Sequence, residues 1–446
     1  MNIQRIEVKL TMINPLTLKI TDMEICKLKD VPMQCSIIRI KTNQGIIGFG
    51  EIRDFASIKY CMMLKRQLIG QNPCNILQLF SQIKQFGGHG RQGGGVSGVE
   101  VALVDLTGKA YGIPAYQLLG GKQREKIRVY CDTDVEGKHS GKEMGEALKK
   151  RIDSGFTMVK MDLGIDMLLD IDGTLNIPVD YLKQMRNLSS EERSFGFSEG
   201  RLIPLMNIPH PFSFISITEK GFDILEEYIR QVRETIGYSI PLAIDHIGHV
   251  NVETCIKLGK RLEKYNIAWM EDCVPWFYTD QLQRLKNSVS IPICTGEDIY
   301  LKENFRPLIE KKAVSVIHPD VLTAGGMFET RRIISEAEDA GIATVIHMAE
   351  SPVGCMAAAH VAAASGKNFV AMEYHSFDVS WWDSIVKNYE QKIVCDGWIK
   401  VNNKPGLGIE DLDDDVLKEH AILENGKLWI STEDWDNDWS HDRIWS

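Results

Sequence analysis

Six short apolar runs in the second half of the chain each end in a carboxylate or a histidine, and they recur at one repeat length. They are PLAID ending at Asp245, IAWME at Glu271, IPICTGE at Glu297, VSVIHPD at Asp320, IATVIH at His347 and FVAME at Glu373. Gaps of about 23–27 residues match one strand, a loop, a helix and a return loop. Apolar runs of this length, bounded by turn formers, read as buried parallel strands. In a β/α barrel the C-terminal ends of such strands share one mouth, and active sites of that fold are built there. Six ionisable groups converging on one mouth predict a metal-assisted enzyme working on an anionic substrate.

The spacing extends backwards. RVYCDTD near Tyr130 and FTMVKMD near Lys160 begin the series, and with His318 marking the strand before Asp320 the count reaches eight, the number that closes a TIM-type barrel. Asp245 follows Asp162 by roughly three repeat lengths. Residues 163–222 therefore read as an insertion, rich in turn formers, placed where a lid or substrate wall belongs. Upstream, residues 3–10 and 34–41 alternate apolar and polar, a turn follows at Thr42–Gly45, and IIGFGE ending at Glu51 reads as a further strand. Residues 58–85 carry a helical period. GGHGRQGGGVSG at 87–98 reads as a flexible loop in which His89 or Arg91 touches a ligand; it lacks the lysine ending of a phosphate loop. The expected organisation is an α/β chain: an α+β domain over 1–125, a barrel over 126–380, and a segment over 381–446 that completes the first domain and ends in an acidic tail bearing Trp435, Trp439 and Trp445.

The bulk properties exclude several classes. A formal net charge of −10 without a basic run argues against nucleic-acid and anionic-membrane partners. No apolar run is long enough to span a bilayer, and MNIQRIEVKL lacks the apolar core of a secretory signal. Ten scattered cysteines without a CxxC pair read as reduced thiols of a cytoplasmic protein.

Asp245, Glu271 and Glu297 end three consecutive strands. Three hard oxygen ligands leave room on an octahedral cation for substrate and water, the arrangement Mg²⁺ favours, whereas three unscreened carboxylates would repel. Asp320 and His347 end the next two strands, and a carboxylate beside an imidazole fixes its tautomer and raises its basicity. Lys160 and Asp162, two apart on one strand, face the same side and offer a base opposite His347 or a strand-end ion pair. His318, His360 and His375 read by default as satisfied core or surface groups. The small-residue run at 354–366 reads as a packed barrel helix.

Together these residues resemble the enolase superfamily, in particular its mandelate racemase branch, over nearly the whole chain. ALVDLTGKAYGIPAYQLLGG is similar to the helix that ends the family's capping domain. VKMD at Asp162 is similar to its Lys-X-Lys strand, the three carboxylates to its metal ligands, HPDVLTAGGMFET with VIH at His347 to its Asp-His dyad, and PGLGIE to its closing motif. The resemblance implies Mg²⁺ on a substrate carboxylate, removal of the α-proton, an enediolate, Glu373 hydrogen-bonding that carboxylate, and a homo-oligomer. Two departures matter. Asp162 replaces the second lysine, so a two-base 1,1-proton transfer loses a partner. Ile247 stands where some acid-sugar dehydratases carry a histidine, leaving His249 to reach the site from its loop and His246 pointing away.

The reading is therefore a Mg²⁺-dependent sugar-acid dehydratase acting on a small carboxylate. His347, held by Asp320, serves as general acid, with Lys160, Asp162 or His249 as base, and the product is a 2-keto-3-deoxy acid. A racemase, epimerase or cycloisomerase using the same intermediate is the alternative, and a non-enzymatic metal-binding barrel is a third reading. The loops at 12–32 and 51–58 are expected to choose the substrate.

Overall fold

The computed structural model describes residues 13–29, 35–54, 56–88, 93–134, 137–176, 215–245, 250–387 and 392–431. The first sheet is an antiparallel meander of β1 (Ile20–Leu28), β2 (Ser36–Thr42) and β3 (Ile47–Ile52). Gly45, at a φ of 81°, closes the turn between β2 and β3. The strand expected at 3–10 lies outside the described residues. β1 instead occupies much of the segment expected as a capping loop at 12–32. Its charges hide its strand character in sequence: Glu24 faces across the sheet and is neutralised by Arg39 and by Lys41 at 2.8 Å.

Residues 93–98 of the glycine-rich run are not a loop. Residues from Gly93 onward form the first turns of a helix, Gly93–Tyr111, that lies against β3. A Cβ on Gly98 would come within 2.1 Å of the Glu51 carbonyl oxygen, and one on Gly50 within 2.0 Å of the Gly98 carbonyl. The glycines let two backbones touch, which outweighs their poor helix propensity. His89 and Arg91 lie outside the described residues. The helical period at 58–85 breaks into Ile58–Met63, Lys65–Leu68 and Ile76–Ile83.

The second sheet is a closed barrel. Its parallel strands are β4 (Lys126–Cys131), β5 (Val159–Asp162), β8 (Leu242–Asp245), β9 (Ile267–Glu271), β10 (Ile293–Thr295), β11 (Val316–Ile317), β12 (Ala343–Ile346) and β13 (Phe369–Tyr374). They neighbour one another in that order, and β13 pairs with β4 through Glu373 and Tyr130 to close the ring. Side chains alternate across each strand. Met158, Ala243, Trp269, Cys294, Val316, Val345 and Ala371 fill the interior with Tyr130. The residues two and four positions further along each strand therefore point inward at the mouth. Between β5 and β8 the short pair β6 (Leu175–Asn176) and β7 (Ser216–Ile217) ties the neck of the insertion. The insertion ends earlier than expected, because Thr218 caps a barrel helix at Glu219–Ile236. Residues 177–214 lie outside the described residues.

The chain then returns to its beginning. β14 (Val394–Cys395) and β15 (Trp398–Lys400) add antiparallel to β4, and β16 (Ala421–Ile422) pairs with β1. The three tail tryptophans lie outside the described residues. None of the ten cysteines is in a disulfide. Among the described residues no helix is long and apolar enough to cross a membrane.

Two carboxyl groups of the first sheet and its helix hold the barrel by helix N-termini, whose first amides lack partners within the helix. Glu51 accepts from the Ser351 amide at 2.9 Å and hydroxyl at 2.7 Å and from the Gly354 amide at 2.8 Å, at the start of the helix Pro352–Ala364. Glu100 accepts from the Met327 amide at 2.7 Å and the Phe328 amide at 3.0 Å, at the start of Met327–Asp339.

Candidate active site

Strand register assembles the mouth. Asp162 lies level with Asp245, and Lys160 with Ala243, so Lys160 sits one layer deeper than the two aspartates. Asp320 and His347 are paired as a single parallel bridge beyond β11 and β12. The backbone thus supplies the dyad, and the side chains complete it: His347 Nδ1 is 2.6 Å from Asp320 Oδ2. Asp320 Oδ1 accepts from the Leu322 and Thr323 amides at 2.6 and 2.9 Å, which fixes the carboxylate that fixes the imidazole. Burial pushes the Asp320 carboxyl up to about 6, against the pull of Arg53 and the Leu322 amide, so it is an anion near neutral pH. Burial pulls His347 down; Glu297 opposes this and Arg53 adds to it. The carboxylate on Nδ1 fixes the ring and leaves Nε2 to exchange a proton at the mouth, as base or as acid.

Asp245 and Glu271 come together as expected, and Asp272 joins them, with carboxylate oxygens within 4.8 Å of one another. Asp272 follows β9 with a φ of 43°, a left-handed conformation that turns its side chain into the group. Thr295 donates to its carboxylate. Burial, then repulsion from Glu297, Asp245 and Glu271, holds the Asp272 carboxyl well above its ordinary range. Three hard oxygen donors on adjacent strand ends, repelling one another, fit a divalent cation. Glu297 is not in this trio; its Oε2 is 3.0 Å from His347 Nε2.

Lys160 lies among three acids beneath the mouth. It is fully buried, with Nζ 2.6 Å from Asp245 Oδ2, 2.6 Å from Glu373 Oε1 and 3.5 Å from Glu271 Oε2. Burial disfavours its charge, but these carboxylates outweigh it and hold Lys160 well above its ordinary value. Asp162 is half-buried on the inward face beside Asp245. Glu373 is fully buried beneath the mouth, engaged by Lys160, by His318 Nε2 at 3.1 Å and by His375 Nε2 at 3.3 Å. Enclosed by these three basic side chains, the carboxylate lies beneath the mouth. His246 and His249 lie outside the described residues.

Several residues of the mouth escaped the sequence reading. His318, expected as a satisfied core group, is buried but sits among the site's acids: Nδ1 contacts Glu271, and Nε2 also lies 2.9 Å from the Tyr130 hydroxyl. Trp269 holds the other Glu271 oxygen at 2.8 Å. His375, expected to be bland, lies beside Asp132 with Nδ1 3.6 Å from Oδ2. Both histidines stand two residues from a predicted site acid on the same strand, so the period of two was the signal that pointed to them. Arg53, just past β3, had no such signal. It reaches across from the first domain, fully buried, to pair with Glu350, with Asp320 Oδ2 at 3.5 Å and with Glu297 Oε1 at 3.7 Å, and lies 3.3 Å from His347 Nδ1. His360 is the core group expected: it stacks on Tyr116 and accepts that residue's amide proton at 3.2 Å.

Comparison with known proteins places this arrangement. Residues 7–120 match the mandelate racemase / muconate lactonizing enzyme N-terminal domain, and residues 143–416 match the enolase C-terminal domain-like family. A D-xylonate dehydratase from Haloferax volcanii is 32% identical over 396 residues, covering 86% of this chain and 85% of its own. An arabinonate dehydratase from Saccharolobus solfataricus is 25% identical, covering 88% and 92%. A crystal structure of a mandelate racemase/muconate lactonizing enzyme-like protein from Rubrobacter xylanophilus superposes with a TM-score of 0.76 at 27% identity, covering 91% and 98%.

Proposed function

The chain belongs to the mandelate racemase / muconate lactonizing enzyme family of the enolase superfamily, and on that premise we propose how it acts as a sugar-acid dehydratase. The substrate class is an aldonate or aldarate, with pentonates and hexonates first in view because the relatives are xylonate, arabinonate and galactonate dehydratases. The product is a 2-keto-3-deoxy acid. The cytoplasm is the compartment this chemistry and the unpaired thiols suit.

Asp245 and Glu271, with Asp272 and Glu297 beside them, would hold the divalent cation, and Mg²⁺ is the ion that all-oxygen donors favour. When bound, the cation supplies Lewis-acid stabilisation of negative charge building on the substrate carboxylate. Lys160 and His318 hold Asp245 and Glu271 in place from below, and Trp269 holds the second Glu271 oxygen. His347 takes the C2 proton at Nε2, while Asp320 keeps its Nδ1–H and steadies the imidazolium that forms. Arg53 keeps Asp320 ionised and closes that side of the mouth.

The observation that carries this reading is the Asp320–His347 pair facing the carboxylate trio across one mouth. Racemisation is less well served: Lys160 Nζ is engaged by Asp245 and by Glu373, each at 2.6 Å, beneath the mouth. The test is keto-acid release from xylonate, arabinonate and galactonate with Mg²⁺, before and after chelation. Release that chelation stops supports the reading, and release indifferent to chelation refutes the metal's part in it.

A further inference from the structure

Dehydration needs two proton transfers, one from C2 and one to the departing C3 hydroxyl, and His347 accounts for the first. Among the described residues the dehydratase reading leaves the second without an assigned donor; His246 and His249 lie outside them. Ile247 occupies the position after β8 where a donor was sought, and Lys160 is sealed beneath the mouth.

A second histidine–aspartate pair stands next to the first. His375 follows β13, between the ends of β12 and β4. It lies one inward position above the buried Glu373, and its side chain is 15% exposed at the mouth, whereas Glu373 is sealed. The rings of His347 and His375 are 5.8 Å apart between centroids, a separation that lets each reach one of two neighbouring substrate carbons. Asp132 Oδ2 lies 3.6 Å from Nδ1. Nε2 lies 3.3 Å from Glu373 but makes no well-aligned hydrogen bond among the described residues.

We propose that His375 is the general acid of the reaction, donating the proton that lets the C3 hydroxyl leave as water. This rests on the dehydratase reading. His347 accepts the C2 proton, and the C–H electron pair delocalises into the C1 carboxylate. That pair then forms the C2–C3 double bond as the C3–O bond breaks, and the His375 proton joins the leaving oxygen. The enol loses its hydroxyl proton and gains one at C3, giving the ketone; His347 returns its proton to solvent and His375 regains one. No oxidant, reductant or co-reactant enters. The charge state agrees: burial disfavours the imidazolium, but contact with Glu373 and the field of Asp132 overcome it and push His375 up to about 9. Two imidazoles on adjacent strands are thus biased in opposite directions, the pattern that separates base from acid.

The test uses the full-length enzyme with Mg²⁺ in D₂O and the sugar acid that the wild type turns over. Three observables are read: exchange of the C2 proton, release of keto acid, and release of fluoride from the 3-deoxy-3-fluoro analogue, whose leaving group needs no proton. His375→Asn and His375→Gln should lose keto-acid release by about 10²–10⁴-fold. They should still exchange C2 and still expel fluoride within about tenfold of wild type. His347→Asn should lose all three. Keto-acid release within threefold of wild type in either His375 variant overturns the proposal. So does equal loss of fluoride and hydroxyl elimination, which would make His375 only an anchor for Glu373. If one variant fails to fold, the other, or Asp132→Asn with an intermediate loss confined to hydroxyl elimination, decides it. A wild type that releases no keto acid from any sugar acid sinks the dehydratase reading itself and this inference with it.

Discussion

Side chains two residues apart on one strand share a face, and that period decides most of this site. The strand-end repeat made Asp320, His347, Asp245 and Glu271 legible in sequence, and the period of two extends from Asp320 and Glu373 to His318 and His375. It could not reach Arg53, whose partners are roughly 240–300 residues away in the chain and whose conformation depends on how two domains meet. Nor could it show what Lys160 touches: it faces inward, and only the structure places its Nζ 2.6 Å from both Asp245 and Glu373. Arg53 carries a prediction at this scale. Arg53→Met strands Asp320 and Glu350 as buried unpaired acids, and breaking such a pairing costs about 3–5 kcal/mol. Chemical denaturation should show that loss, with turnover falling alongside. A stability change below about 1 kcal/mol would mean that the guanidinium is not what balances those acids.

Among the elements, the barrel strands were the most legible because each is an apolar run ending at a repeat distance. The elements that misled did so for stated reasons. β1 carries charges that are neutralised only across the sheet, by Arg39 and Lys41 on β2. The glycines at 93–98 resemble a loop in composition, yet they open a helix because β3 presses its backbone against them. The second case is testable. In an isolated helix Gly→Ala stabilises by about 1 kcal/mol. Here Gly98→Ala drives a Cβ into the Glu51 carbonyl, so overpacking should win and destabilise by about 1–3 kcal/mol, read as a lowered melting temperature. A raised melting temperature would show that the helix and β3 are not in backbone contact.

Over the whole molecule, the first domain is fastened to the barrel by Glu51 and Glu100 at two helix N-termini, and Arg53 runs between the fastenings to the dyad. Domain position and the base are therefore coupled through one short stretch of chain. Burial, only partly offset by the Phe328 and Met327 amides, pushes Glu100 from 4.5 up to about 8. The folded form thus holds a proton that the unfolded form releases. The stabilisation is complete below about 4.5 and is lost as pH rises through about 8. Melting temperature should fall between pH 6 and pH 9, and fall less in Glu100→Gln; equal falls would remove Glu100 from the linkage.

The central claim is dehydration at a divalent-metal site, and proton NMR of the wild type with Mg²⁺ and a panel of sugar acids in D₂O tests it most directly. The account predicts that at least one acid loses its C2 proton signal as a 3-deoxy product carrying deuterium at C3 grows in, and that chelation stops both. Deuterium entering C2 of recovered substrate with no 3-deoxy product from any acid would contradict it and point instead to proton exchange without elimination.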